Sequence, residues 1–382
     1  MTVTSARGFL AAGVAAGLKP AGTDVALIVN GGPLDTAAGV FTTNRVTAAP
    51  VRWTRQVLST GRLRAVVLNS GGANACTGPA GFQDTHATAE RAATALGIGA
   101  IDVAICSTGL IGVRLDMDAL LPGVDKAVAA LHPEGGADAA VAILTTDTVS
   151  KESAYDGGGW TIGGMAKGAG MLAPALATML AVVTTDAVLD PATAEAALRA
   201  ATAQTFDRVD SDGCMSTNDT VLLMASGAAG IEPDAAELTA ALTSVCADLA
   251  AQLLADAEES TKDIEVVVSG ASTVDDALEA ARSVARSNLL KCAIHGEDPN
   301  WGRVLAAVGT TSAAFDPDAL DVALNGVGVC ARGEAAADRS TVDLTGRRVV
   351  IAVDLHAGAE TATVWTNDLS VGYVRENSAY AT

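Results

Sequence analysis

Short runs of β-branched and aliphatic residues alternate along this chain with alanine-rich stretches in which larger apolar side chains recur every three or four positions. The runs "VALIVN" (25–30), "RAVVLN" (64–69), "DVAIC" (102–106), "TMLAVVTTD" (178–186), "IEVVVSGA" (264–271) and "VVIAVDL" (349–355) predict strands. Between 234 and 257, Leu238, Leu242, Val245, Leu249 and Leu253 share one helical face. Between 272 and 290, Val274, Ala277, Leu278, Ala281, Val284 and Ala285 do the same, with Ser272 placed as an N-cap. Interleaved elements of both kinds imply α/β layers. The glycine-rich breaks at 71–81, 156–170 and 326–333 have the length of loops, and neither a repeat nor a low-complexity linker marks a domain boundary.

Composition narrows the picture. With 382 residues, 49% of them hydrophobic, the chain can bury a large core divided over two or three structural units. A formal net charge of −20 without a basic run argues against a nucleic-acid partner, since phosphate neutralisation needs clustered Lys and Arg. An anionic substrate would therefore be met by a few local cations. Six cysteines (Cys76, Cys106, Cys214, Cys246, Cys292, Cys330) form no C-x-x-C pair; set mostly among apolar neighbours, they read as buried thiols of a reducing compartment, with no metal site expected. The N-terminal "SARGFLAAGVAAGLK" lacks a cleavage motif, and residues 168–185, though uncharged, are interrupted by Gly, Pro and Thr; the expectation is a cytoplasmic protein without a membrane span.

Candidate chemistry centres on "KGAGMLAPALATMLAVVTTDA" (167–187). "GAGMLA" (168–173) matches the weak form of a dinucleotide fingerprint, but Pro174 and the strand-like residues that follow deny it the required strand–turn–helix setting. Thr178 sits behind small residues at the head of a strand, as an N-terminal nucleophile would. Its hydroxyl could attack the Ala177 carbonyl, and hydrolysis of the resulting ester would free an α-amine titrating near 8, able to act as base to the same hydroxyl. The alternative is a threonine merely at home in a strand. "CSTGLIG" (106–112) can bring backbone N–H groups to an oxyanion, with the Thr108 hydroxyl assisting, or can be a plain turn. Lys167 is a cation for a substrate carboxylate or a solvated loop lysine. "HGEDPNWGR" (295–303) is dense in charge for a chain only 18% charged, with Asp298-Pro299 expected as N-cap and first residue of a helix. "DSDGCMSTNDT" (210–220) lacks the spacing of a calcium loop.

Taken together, "VVLNSGGANACTG" (66–78), "STGLIG" (107–112), "ILTTDT" (143–148), "TIGGMAKGAGMLAPALATML" (161–180), "HGEDPNWGR" (295–303) and "YVRENSAYAT" (373–382) resemble the ornithine acetyltransferase family over nearly the whole chain. The resemblance implies a layered αββα sandwich of the kind shared with N-terminal-nucleophile aminopeptidases. It also implies self-cleavage between Ala177 and Thr178 into an α chain, 1–177, and a β chain, 178–382, two copies of each forming a heterotetramer. By likeness, Thr178 is the nucleophile and Thr108 and Gly109 form the oxyanion hole, while Thr145, Lys167, Thr178, Glu258, Asn377 and Thr382 contact the amino-acid substrate.

The implied reaction passes an acetyl group from N2-acetyl-L-ornithine to L-glutamate through an acetyl-threonine ester, as in the cyclic route of arginine biosynthesis. No cofactor is implied, and acetyl-CoA stays open as a second acetyl donor. Two features depart from the family pattern: Ala175 and Leu176 precede the cut where Asn and Met are usual, and "AEESTK" (257–262) places Glu259 beside the matched Glu258. An N-terminal-nucleophile amide hydrolase, which would give its acyl group to water, and a non-enzymatic nucleotide-binding protein are the alternatives carried forward.

Overall fold

The computed structural model describes residues 2–173 and 179–379. Its first sheet carries β1 (Phe9–Val14), β2 (Val25–Asn30), β4 (Ala65–Asn69) and β5 (Val103–Ser107) in that order, antiparallel except for the β4–β5 pair. The second runs β3 (Thr36–Phe41), β9 (Thr220–Ala225), β8 (Leu180–Thr185), β7 (Thr161–Lys167), β6 (Lys151–Asp156), with β8 and β9 parallel.

Alternation along the strands shows that these two sheets face each other. Leu180 and Val182 of β8, Leu222 and Met224 of β9 and Ala37 of β3 share one buried cluster with Leu27, Val67 and Ile105 of the first sheet. Their neighbours Ala181, Val183, Val221, Leu223 and Ala38 point the other way, into a second cluster. Successive strand residues leave on opposite faces, so a strand buried on both is a strand between two layers. The helices α1 (Ala49–Val57), α2 (Gly78–Leu96) and α3 (Met117–Ala129) pack on the first sheet, with α4 (Gly136–Ala142) against β1 and β2. On the second sheet lie α5 (Pro191–Gln204) and α6 (Ala235–Ala255). This is the αββα order that the resemblance implied.

By length and composition α6 could cross a bilayer. Its face of Leu238, Leu242, Val245, Leu249 and Leu253 is instead buried in the second cluster.

A third unit follows: β13 (Glu334–Ala335), β12 (Val327–Ala331), β11 (Asp321–Leu324), β14 (Arg348–Asp354), β10 (Asp263–Ala271) and β15 (Glu360–Asn367), in that order across the sheet. Helices α7 (Val274–Ala285), α8 (Asn288–His295) and α9 (Trp301–Val308) complete a separate core with it, and α10 (Val371–Ala379) leads back toward the sandwich.

Three local expectations are corrected. Thr273, not Ser272, caps α7, because its hydroxyl accepts the Asp276 N–H, and the helix ends at Ala285 before Ser287 caps α8. The helix after Asp298-Pro299 begins at Trp301 behind Asn300. Of the cysteines, Cys106, Cys246 and Cys330 are buried, but Cys76, Cys214 and Cys292 are exposed, since apolar neighbours along a chain do not fix which side of an element a residue takes.

Candidate active site

The ends of β5 and β7 and the loops beyond them open on one side of the sandwich, where a cavity of about 110 Å³ is lined by Thr108, Gly109, Thr145, Lys167, Glu258 and Asn377 among others. Six residues singled out in the sequence, spread over 270 positions, thus meet around one space. Thr178 lies two residues before β8, and it, Ala177 and Thr382 fall outside the described residues.

Thr108 directly follows β5 and is buried. Its backbone N–H is committed to the Asn69 carbonyl at 3.0 Å, so only its hydroxyl faces the cavity chemistry. Gly109 has φ +128°, and a Cβ there would come within 2.9 Å of the Gly72 backbone, so the chain can make this turn only with glycine. Among the described residues the Gly109 N–H has no protein acceptor.

Lys167 ends β7 and is 2% exposed; it is not a solvated loop lysine. Its ammonium donates to the Thr145 hydroxyl at 2.6 Å and the Thr108 hydroxyl at 3.4 Å. Because an ammonium only donates, Thr108 Oγ1 must accept there, and its own proton is left to point elsewhere. Burial lowers the Lys167 pKa, and Asp147, 3.6 Å away, opposes that shift.

Asp147 is the counter-ion of the site. Its carboxylate accepts from Lys151 Nζ at 2.6 Å and from the Gly168 N–H at 2.6 Å, and its side chain is fully buried. Burial alone would raise its pKa, but Lys167, Lys151 and the Gly168 N–H outweigh it and hold the carboxyl far below the usual range. Lys151 is also paired with Asp256.

Glu258 follows α6, and its N–H donates to the Ala169 carbonyl at 2.9 Å. Gly170 lies so close that a Cβ there would stand 2.6 Å from the Glu258 carboxylate. On the other side Asn377 of α10 donates to Glu258 Oε2 at 2.9 Å. Glu259 does not line this cavity; it adopts φ +51° and packs close to Gly372.

After the "GAGMLA" loop the next element among the described residues is β8, the antiparallel neighbour of β7, so the strand–turn–helix setting of a dinucleotide site is absent among the described residues. A model of the ArgJ family matches residues 10–382. The chain belongs to the ArgJ family. The Arginine biosynthesis bifunctional protein ArgJ of Streptomyces avermitilis is 65% identical over 382 residues, covering 100% of both chains. A solved chain of the Bacillus halodurans protein of that name is 39% identical with a TM-score of 0.50, covering 52% of this chain and 98% of its own. An ornithine acetyltransferase of Mycobacterium tuberculosis, solved in complex with ornithine, is 61% identical with a TM-score of 0.45, covering 47% of this chain and 96% of its own.

In this ArgJ-family chain several residues of the site escaped the sequence reading. Asp219 is one: its Oδ1 accepts the Met179 N–H at 3.0 Å, fastening the chain immediately after Thr178, and its carboxylate is fully buried. Burial pushes that carboxyl well above the usual range. Asn218 beside it donates to the carbonyls of Ala73 and Ser107, tying β9 to the loop that carries Thr108. Both lie in "DSDGCMSTNDT", whose acidic residues were weighed only as metal ligands; among the described residues no cluster of metal-binding side chains occurs. The charges of "HGEDPNWGR" lie outside the cavity. His295 meets Asp368 at 2.7 Å and Glu297 meets Lys262 at 2.9 Å, bracing the segment just beyond Glu258.

Proposed function

We propose that this protein transfers an acetyl group from N2-acetyl-L-ornithine to L-glutamate, with Thr178 as the nucleophile released by cleavage of its own chain after Ala177. The observation that carries the reading is the convergence of Thr108, Gly109, Thr145, Lys167, Glu258 and Asn377 on one cavity. The name that the Streptomyces avermitilis relative bears supports the pathway. The Bacillus halodurans chain, nearly fully matched yet covering 52% of this one, has the coverage expected of one half of a cut chain.

Maturation begins when Thr178 Oγ1 attacks the Ala177 carbonyl carbon. The C–N bond breaks as the ester forms, and water then hydrolyses the ester to an Ala177 carboxylate and a free Thr178 α-amine. In the first half-reaction that amine takes the proton of its own hydroxyl while the oxygen attacks the acetyl carbonyl. The negative charge that develops falls to the Gly109 N–H and the Thr108 hydroxyl, with the Lys167 ammonium behind them. Collapse returns the proton to the leaving nitrogen, ornithine departs, and the α-amine of glutamate attacks the acetyl-threonine ester by the same path reversed.

Lys167 and Thr145 suit the α-carboxylate common to both amino acids, and Glu258 with Asn377 the far side of the substrate. Thr382 is assigned to substrate contact by family likeness. We assign the mature protein two α and two β chains on the same basis.

The test is intact mass under denaturing conditions beside an acetyl-transfer assay, for the wild type and Thr178→Ala. Two fragments meeting at Ala177–Thr178 in the wild type, with one full-length inactive chain in the variant, are expected; transfer should fall on the order of 10⁴-fold or more. An uncut yet active variant would reject the nucleophile. Replacing acetylornithine by acetyl-CoA in the same assay measures a second donor activity, and omitting glutamate measures leakage to water.

A further inference from the structure

The cut at Ala177–Thr178 needs a base that the uncut chain does not have in its own nucleophile. Before the bond breaks, the nitrogen of Thr178 is an amide without a basic lone pair, so it cannot take the hydroxyl proton as the free α-amine does later. A neutral hydroxyl is a weak nucleophile, and its activation falls to a second group close by.

The described side chains leave few choices. Among them no histidine lines the cavity. Lys167 places its ammonium against the Thr145 and Thr108 hydroxyls, where it only donates. Asp147 is engaged by Lys151, Lys167 and the Gly168 N–H, which make it a poor proton acceptor. Glu258 accepts from Asn377 and lies against Gly170. Asp219 remains.

Two parallel strands put Asp219 next to the reacting residue. Met179 directly precedes β8 and Asp219 directly precedes β9, and the strands are paired with Leu180 opposite Thr220. The Met179 N–H donates to Asp219 Oδ1 at 3.0 Å, and the Thr220 N–H donates back to the Met179 carbonyl at 3.1 Å. Because the Met179 nitrogen is joined to the Thr178 carbonyl carbon, the Asp219 carboxyl sits at the peptide that adjoins the nucleophile. Its backbone is held as well: the Thr42 N–H donates to the Asp219 carbonyl at 2.9 Å. Ser216, which lines the cavity, meets the same carboxyl through its N–H and its hydroxyl.

Burial raises the Asp219 carboxyl well above the usual range, although the Met179 N–H, Ser216 and Lys167 pull it back. A carboxylate so placed takes up a proton more readily than an ordinary one and can return it.

We infer that Asp219 is the proton carrier of maturation. Its carboxylate takes the Thr178 hydroxyl proton as the oxygen attacks the Ala177 carbonyl carbon. The carboxyl then gives that proton to the Thr178 nitrogen as the C–N bond breaks. An ester and a free amine result, the carboxylate is regenerated, and nothing else is consumed before water hydrolyses the ester. Maturation and transfer thereby use different bases on one hydroxyl, Asp219 before the cut and the α-amine after it.

The inference rests on the self-cleavage proposed above, and one experiment separates the two. The full-length chain is made by cell-free synthesis, and intact mass under denaturing conditions follows the uncut fraction with time. Asp219→Asn keeps an oxygen for the Met179 N–H but cannot take up a proton, so cutting should slow by about 10²-fold or more. A residue that only shaped the strand ends would leave the rate within a few-fold. Because the variant can also stall through misfolding, Thr178→Cys is added to it. A thiol titrates near 8.5 and depends less on an added base, so the double variant should cut at least about tenfold faster than Asp219→Asn alone. A misfolded chain would gain nothing from the thiol. Normal cutting by Asp219→Asn overturns the inference, as does a double variant no faster than the single one. A wild type that is never cut rejects the self-released nucleophile instead.

Discussion

The floor of the cavity and its rim are built in contrasting ways. The floor, Thr108 and Lys167, sits at the ends of β5 and β7, buried and held by Asn69 and Asp147. The rim, Glu258 and Asn377, comes from the turn after α6 and from α10, whose Val371 and Val374 are exposed. Groups that must meet a developing charge belong on elements that do not rearrange, because their value lies in being oriented beforehand. Groups that meet a variable side chain are better placed where small adjustment costs little. The floor should therefore govern the rate of the chemical step, the rim the apparent affinity.

The sharpest break in that contrast should come at Gly109. Gly109→Ala forces a left-handed backbone on alanine and a 2.9 Å approach to Gly72, so its N–H must turn away. A fall in kcat of about 10²–10³-fold with KM nearly unchanged is expected in steady-state kinetics; a change confined to KM would move Gly109 to the rim.

Asp147→Asn should act next, through stability. It takes from buried Lys167 its ion-pair partner and leaves Lys151 with Asp256 alone, and denaturant unfolding should register a loss of about 3 kcal/mol. The pH dependence follows from the same carboxylate. Its folded pKa lies below its unfolded one, so its contribution is complete above the unfolded carboxylate range and is lost as pH falls through and below it. The variant should accordingly lose less further stability than the wild type as acid is added. A parallel decline of both would assign the acid sensitivity to other carboxylates.

The smallest effect belongs to the rim. Asn377→Ala removes one hydrogen bond to Glu258 at an exposed residue and should cost about 1 kcal/mol, read as a roughly fivefold rise in KM at constant kcat. An equal loss in kcat would erase the distinction between floor and rim.

The strands legible in the sequence were those rich in Val and Ile, and β2, β4, β5, β8, β10 and β14 lie where those runs predict. β1 "FLAAGV", β3 "TAAGVF" and β7 "TIGGMAK" passed unseen because alanine and glycine carry no strand preference; it is close packing between layers that holds them extended. Gly13, for example, is pressed so near α4 that a Cβ would fall 1.9 Å from the Asp138 carbonyl oxygen.

At the site, the chemistry of Thr108, Gly109 and Lys167 could be guessed from local context. Thr145, Glu258 and Asn377 carry no local signal and came only from likeness to relatives. Asp147 and Asp219 were invisible for a different reason. A charged residue reads as solvated until the fold shows that its surroundings are apolar and its partner lies in another segment.

The position of β8 has one more consequence. A cut before Thr178 would not separate two folding units, for the second sheet alternates ownership: β3, β7 and β6 precede the cut in sequence, while β9 and β8 follow it. Each half would hold strands whose hydrogen-bonding neighbours belong to the other. An uncut chain regains this sheet by itself, at a rate independent of how much protein is present. Once cut, the same recovery becomes an encounter between two molecules, and dilution alone should suppress it. Maturation at this bond would therefore also fix the moment after which the protein, if lost to unfolding, is not readily regained.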